Sequence, residues 1–303
     1  MGEKMKILTD FNFKLNNTAV CIGKFDGIHR GHRMLLEEAE KSDLEMVMIT
    51  FLFPEHKGIY SYEEKQYLAE KLGIDILITI PVTKEFMQMP ADEFVREILV
   101  KRCDAKKVVV GADFCFGYKR QGNASFLKEQ GAYYGFEVCI LDKLKQDGEV
   151  ISSTRIRSLL AHGKIEQANE LLQTPYFVKG RVEEGNKIGR TMSIPTANIR
   201  PSEEKELPPF GVYAVRVEID GCLYDGVSNL GIKPTIPGKN PTGLEVWLFE
   251  YEGNLYGREL MVFFYSYQRP EQKFSGIKEL REQIRFDTEQ AKKLLISSEN
   301  YAK

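Results

Sequence analysis

The sequence predicts two folded parts of different class: an α/β part built on a parallel sheet, then an antiparallel β part ending in a helix. Three observations predict this. Up to about residue 173, short unbroken apolar runs alternate with amphipathic helical stretches, as in a parallel sheet covered on both faces. Beyond it, strand-like runs follow one another with glycines in the turns, the pattern of an antiparallel sheet or barrel. A chain of 303 residues also accommodates two domains of about 100–200 residues each. The division is drawn at 1–173 and 174–303.

The elements follow in order. TAVCIGKF reads as a strand, and GHRMLLEEAEKS as the helix after it. LEMVMITFLF is a second strand; EEKQYLAEKLG is a helix stopped by Gly73, a common C-cap residue. IDILITIPV is a third strand, and PADEFVREILVKRC a helix opened by Pro90 with Asp92 and Glu93 in its first turn. KKVVVGADF, the helix ASFLKEQGAYYG and the strand FEVCILDKL complete the alternation. A short helix, AHGKIEQANELLQT, crosses the boundary. Then come YFVKGRVEEG, GVYAVRVEIDG, CLYDGVSNLG, LEVWLFEYEGNLYG and RELMVFFYSYQ as strands, and SGIKELREQIRFDTEQAKKLL as a closing helix.

Bulk properties narrow the function. A net charge of −2 argues against a large nucleic-acid footprint, which is usually basic. No apolar run approaches the roughly 20 residues of a membrane span, and MGEKMKILTD lacks the apolar core of a signal peptide. The five cysteines are scattered and form no CxxC pair. They read as reduced thiols in a cytoplasmic protein without a zinc site. The sequence is compatible with a homo-oligomer.

Two of the four histidines stand three residues apart in VCIGKFDGIHRGHRMLL. Gly23 and Gly27 permit a sharp turn around Phe25 and Asp26. His29 and His32 then fall at a helix start, where free N–H groups and the dipole favour an anion. Three-residue spacing puts both imidazoles on one face. From spacing alone, a solvated helix start with two ordinary histidines is an equal reading. Strand ends place VGADFCFGYKRQGN, with Asp113 and Arg120, on the same rim as the histidines. ISSTRIRSLL offers Ser152, Ser153 and Thr154 ahead of an apolar helix, with Arg155 and Arg157 two apart. One hydroxyl there would be plain capping; three with two arginines suit phosphate oxygens.

In the second part, Gly185, Lys187 and Gly189 suit a phosphate-cradling loop. Thr196 and Asn198 offer the oxygen donors that a Mg²⁺–nucleotide complex accepts, although IPTAN is also an ordinary turn into a strand. Alternation puts Glu245 on one face with Trp247, Phe249 and Tyr251. A carboxylate so placed is either a solvated charge or a base in an apolar pocket.

These segments together resemble the bacterial bifunctional riboflavin kinase/FAD synthetase family. Its G-x-F-D-G-x-H-x-G-H, V-G-x-D-F-x-F-G-x-x-R-x-G and S-S-T-x-I-R runs occur in order at Gly23–His32, Val110–Gly122 and Ser152–Arg157. Its G-x-P-T-A-N segment, G-V-x-N-x-G-x-x-P-T segment and following glutamate correspond to Ser193–Asn198, Gly226–Thr235 and Glu245, with Arg269 in the closing segment. The resemblance implies a Rossmann-like nucleotidyltransferase domain and a β-barrel riboflavin kinase domain with a terminal helix. It also implies ATP as co-substrate, Mg²⁺ as cofactor, and riboflavin, FMN and FAD as ligands. Of the first site, His29 and His32 would meet the ATP phosphates, and Gly23, Phe25 and Asp26 the adenosine. Asp113, Arg120, Ser153, Thr154 and Arg157 would complete it. Of the second, Glu245 would be the base and Thr196 and Asn198 the metal ligands. Gly185, Lys187 and Gly189 would bind ATP, and Asn229 and Arg269 the flavin. Three positions depart from the family: Ser193 for a glycine, and Glu184 and Trp247 for histidines. Two other readings therefore stand: a nucleotidyltransferase for another phosphate ester, and a flavin-binding paralogue that retains one activity or none.

Overall fold

The computed structural model describes residues 4–53, 55–183, 196–232 and 241–297. They fall into two units, Met1–Ser153 and Thr154–Lys303.

The first unit is built on six parallel strands: β1 (Lys6–Leu8), β2 (Thr18–Ile22), β3 (Glu45–Leu52), β4 (Ile76–Pro81), β5 (Ala105–Gly111) and, after the two-residue strands β6 (Cys115–Phe116) and β7 (Gly122–Asn123), β8 (Glu137–Leu141). Their order is β1-β4-β3-β2-β5-β8, and every pairing is parallel. The five strands expected here all form. The edge strand β1 was not legible, because three residues carry no period. Helices α1 (Arg30–Glu40), α2 (Tyr62–Lys71), α3 (Ala91–Glu93, running on as a π-helix over Phe94–Arg102) and α4 (Ala124–Tyr134) connect the strands. The chain leaves β2 toward β3 on one side and later returns to β5 on the other. The order therefore reverses between β2 and β5, where sheets of this kind open a crevice beyond the carboxyl ends of the strands. Val20, Ile22, Val47, Ile49, Ile78, Val108 and Val110 form one core face against α3 and α4.

After a short hairpin, β9 (Lys145–Gln146) and β10 (Glu149–Val150), come α5 (Ser153–Ala161) and α6 (Ile165–Leu172). Asn169 of α6 receives the Tyr176 N–H at 2.7 Å and donates to Phe264 O at 2.9 Å, joining α6 to the strands that follow. Those are β11 (Tyr176–Glu183), β12 (Thr196–Ile199), β13 (Gly211–Ile219), β14 (Cys222–Ile232), β15 (Thr242–Leu248) and β16 (Glu259–Arg269). They close as a barrel in the order β11-β12-β15-β14-β13-β16. Inside, Tyr176, Tyr213 and Phe264 pack ring against ring. Outside, the terminal helix α7 (Ile277–Ser297) lays Ala291 and Leu295 on Val212, Ala214 and Tyr265.

Two expectations are corrected. The 196–199 stretch is itself a barrel strand, pairing with both β11 and β15. The alternation around Glu245 ends at Leu248, so Phe249 and Tyr251 lie past the strand. Gly253 bends the chain there, Phe249 remains packed on Trp247, and Tyr251 turns to Tyr224.

Candidate functional sites

The first site begins where β2 ends. Phe25 (φ 45°), Gly27 (φ 86°) and Ile28 (φ 42°) all adopt left-handed backbone. For the two non-glycines that costs about 1 kcal/mol or more each, and such strain persists only where the surroundings hold it. Several contacts do so. Asp26 Oδ1 accepts the Ile59 N–H at 2.8 Å, and the Ser153 hydroxyl donates to Asp26 O at 2.8 Å. The Lys24 carbonyl accepts from Thr50 Oγ1 at 2.9 Å and from Lys65 Nζ at 3.2 Å. Phe25 is fully buried.

The turn delivers His29 as the N-cap of α1 and His32 one turn inside it. Their rings stack with centroids 3.7 Å apart, and Phe25 lies 5.1 Å from His32. His29 Nδ1 accepts the His32 backbone N–H at 3.4 Å. That contact leaves Nδ1 unprotonated in the neutral ring and puts the proton on Nε2. Burial lowers the His29 pKa to about 4, against the opposing pull of Asp26. Burial, the His29 ring and the Lys65 charge hold His32 well below the usual imidazole range. Both rings are therefore neutral at pH 7. A neutral imidazole can offer an N–H donor but carries no charge. Among the described residues, buried His32 Nδ1 has no hydrogen-bond partner.

Gly31 explains how the ring of His29 fits. A Cβ at Gly31 would meet His29 Cε1 and Nδ1 at 3.3 Å each. Gly31→Ala gains about 1 kcal/mol of helix propensity yet pushes the ring aside. The expected result is an unchanged or higher melting temperature with the first site's activity lowered about tenfold or more; calorimetry and a turnover assay on the same sample read both.

The other residues expected at this site are placed less centrally. Asp113 lies just past β5, exposed, and pairs with Lys143 at 2.8 Å. Arg120 is exposed on the β6–β7 loop with φ 60°. Ser153 joins the turn as described. Gly23 sits against the Phe25 ring at an ordinary 3.4 Å for an added Cβ. Thr154 and Arg157 lie on α5 in the second unit. Thr154 is exposed there, and Arg157 pairs with Glu206 at 2.8 Å.

In the sequence Gly31 is only a motif position, and neither Thr50 nor Lys65 is singled out. Ser61 and Glu64 form a readable capping box that opens α2. It fixes Lys65 in the first turn but not what its ammonium reaches.

The second site is a matter of register. Asn198 stands directly opposite Glu245, Glu245 opposite Asn229, Asn229 opposite Val212, and Val212 opposite Arg269. Opposed residues share a face. Residues drawn from five strands thus form one row on the outer face of the barrel. Thr196 lies on that face too, opposite Trp247, which packs on Phe249 at 5.7 Å. Glu245 is exposed, so of the two readings of this carboxylate the enclosed apolar pocket is not what surrounds it. Asn229 donates to Glu271 Oε1 at 3.1 Å. Arg269 makes a two-pronged pair with buried Asp287 of α7, at 2.9 and 2.6 Å, and ties β16 to that helix. Gly185, Lys187 and Gly189, like Glu184 and Ser193, lie outside the described residues.

The donors in this row fit Mg²⁺. Thr196 and Asn198 present a hydroxyl and a carboxamide oxygen on the same face as a carboxylate, with no thiol or imidazole among them. Hard oxygen donors suit a small hard cation that is held mostly by phosphates and water. Among the described residues no helix is long and apolar enough to cross a membrane.

Comparison with known proteins meets this geometry from outside. A family profile described as FAD synthetase matches residues 12–155, and one described as riboflavin kinase matches residues 172–295. The bifunctional riboflavin kinase/FMN adenylyltransferase of Buchnera aphidicola subsp. Schizaphis graminum is 39% identical over 301 residues, covering 92% of this chain and 95% of its own. The Haemophilus influenzae protein of the same description is 38% identical over 299 residues, covering 94% and 96%. A solved structure described as a macrolide-efflux protein from Streptococcus pneumoniae has a TM-score of 0.84 at 30% identity, over 95% of this chain and 99% of that one. A histidine pair at the sheet's switch point, a barrel carrying an Asn–Glu–Asn row, and relatives aligned across nearly the whole length agree: the chain belongs to the bifunctional riboflavin kinase/FMN adenylyltransferase family.

Proposed function

We propose that the chain makes FAD in two ATP-dependent steps: its barrel phosphorylates riboflavin to FMN, and its parallel-sheet unit adenylylates FMN with release of pyrophosphate. The observation that carries this reading is the contrast between two sites in separately folded units. One is built on neutral histidines at a helix start, the other on a carboxylate among amide and hydroxyl oxygens.

The contrast matches what each nucleophile needs. A ribityl hydroxyl is a poor nucleophile at neutral pH. Glu245 takes its proton as the oxygen attacks the γ-phosphorus of ATP, and the bond to the β-phosphate oxygen breaks. Asn198 and Asn229 flank Glu245 in register and orient the hydroxyl against it. Thr196 and Asn198 would hold Mg²⁺, which when bound with ATP offsets the charge of the transferred phosphoryl group.

The phosphate of FMN is already largely dianionic, since its second pKa is about 6. It needs no base to attack the α-phosphorus. It needs positioning and donors for charge that builds on the α-phosphate and the departing pyrophosphate. His29 Nε2–H, the open N–H groups of α1 and His32 supply these. Gly23, Phe25 and Asp26 shape the adenosine side, and Ser153, Thr154, Arg157, Asp113 and Arg120 serve the phosphates. We assign residues 1–173 to adenylyl transfer and 174–303 to phosphorylation, in a cytoplasmic enzyme, where ATP and reduced thiols coexist.

Incubation of the purified chain with riboflavin and Mg·ATP, followed by chromatography, tests the whole reading. FMN appearing first and FAD after it is the expected result. FAD formed only when FMN is supplied would mean that the barrel is inactive. Tight flavin binding without turnover would overturn both assignments.

A further inference from the structure

We propose that Lys65 is a positioning residue for adenylyl transfer: its ammonium clamps the Lys24 carbonyl at the foot of the histidine turn and sets the charge environment of His32. The inference rests on the assignment of His29 and His32 to that reaction.

The first support is geometric. Lys65 Nζ donates to Lys24 O at 3.2 Å and to Thr50 Oγ1 at 3.3 Å, and Thr50 Oγ1 donates to the same carbonyl at 2.9 Å. A carbonyl oxygen has two lone pairs, and both are engaged. The Lys24–Phe25 peptide therefore cannot rotate without losing two hydrogen bonds. That peptide is the entry to the turn in which Phe25, Gly27 and Ile28 are left-handed and which leads to His29. A strained run must be over-determined by its surroundings to persist, and Lys65 is one of the groups that hold it.

The second support is that local stability does not favour a lysine there. Lys65 lies in the first turn of α2, where the helix dipole disfavours a cation. Burial also works against its charge, opposed by Asp26.

The third support is electrostatic. The groups bearing on His32 are His29 and Lys65, and Asp26 bears on Lys65. Arg33, Tyr60 and Glu64 form a neighbouring set. With both imidazoles neutral, Lys65 brings positive charge near them and adds to burial and to the His29 ring in disfavouring a proton on His32. The nucleotide then meets an N–H donor in one protonation state.

The test uses the full chain and three variants, Lys65→Met, Lys65→Gln and Lys65→Arg. FAD formation is followed from FMN and Mg·ATP, riboflavin phosphorylation serves as the internal reference, and histidine ring NMR resonances are titrated. Lys65→Met is expected to lower kcat for FAD formation about 10- to 100-fold, with a smaller change in KM for ATP. Lys65→Arg, which keeps a charged donor, is expected to recover most of that loss. In Lys65→Met and Lys65→Gln the His32 titration is expected to move up toward the ordinary value near 6.5. A Lys65→Met rate within about threefold of wild type, or a His32 titration unmoved in both neutral variants, would overturn the proposal. If Lys65→Met does not fold, Lys65→Gln and Lys65→Arg carry both readings. His32→Ala separates the two levels. A wild-type rate there overturns the histidine assignment itself, whereas a slow His32→Ala beside an unaffected Lys65→Met overturns the role of Lys65 alone.

Discussion

His32→Ala is expected to lower FAD formation from FMN by about 10²- to 10³-fold, the scale on which a fixed donor to a developing phosphate charge acts, and to leave riboflavin phosphorylation near its wild-type rate. The size of the effect follows from the stack. His32 stacks on the His29 ring at 3.7 Å and lies 5.1 Å from the Phe25 ring. Its removal takes away one donor and frees the other to turn. The same burial gives a pH signature. His29 titrates near 4 and His32 lower still than free imidazole, whereas both titrate near 6.5 once the chain unfolds. Between those values the unfolded state binds more protons than the folded state, so stability rises with pH there. Their contribution is complete above about 6.5 and is lost as pH falls toward 4. The unfolding midpoint of the wild-type chain should therefore drop between pH 7 and pH 5. In a His29→Gln/His32→Gln double variant this part of the slope should vanish; denaturant titrations at several pH values read it. A slope unchanged by the double substitution would contradict the neutral, buried histidine pair.

Glu245→Gln is expected to show the opposite pattern. FMN formation should fall about 10²- to 10⁴-fold, the usual contribution of a positioned general base, while FAD formation from supplied FMN continues. Glutamine matches glutamate in shape and keeps one carbonyl acceptor, so what is lost is the ability to take the proton. Glu245 is exposed and mid-strand, where a surface substitution usually changes stability by less than about 0.5 kcal/mol. The melting temperature should hold. Equal loss of both activities in either Glu245→Gln or His32→Ala would contradict the assignment of two independent sites.

The residues themselves determined more of this than their spacing alone would suggest. Alternating apolar runs and helical stretches are local patterns, and β2, β3, β4, β5 and β8 follow from them because a buried parallel strand must be continuously apolar. His29 and His32 at a helix start were equally legible, since capping and dipole effects act within one turn. Chemistry at Glu245, Thr196 and Asn198 was legible as residue types, and the family resemblance gave each a role.

Tertiary structure decided the rest. A three-residue edge strand, β1, exists only because β4 is there to pair with it. The Thr-Ala-Asn stretch reads as a turn by composition and becomes a strand because β11 and β15 lie on either side. That pairing sets Asn198, Glu245 and Asn229 in one row, and no sequence distance contains a register between partners 47 and 16 residues apart in the chain. Arg269, expected against the flavin, has its guanidinium committed to Asp287 of α7. Most of all, the protonation of the histidine pair belongs to the fold. Sequence names two imidazoles three residues apart. Only burial against Phe25, beside the ammonium of Lys65, makes them neutral donors, because desolvation and through-space charge depend on distances the chain acquires when it closes on itself.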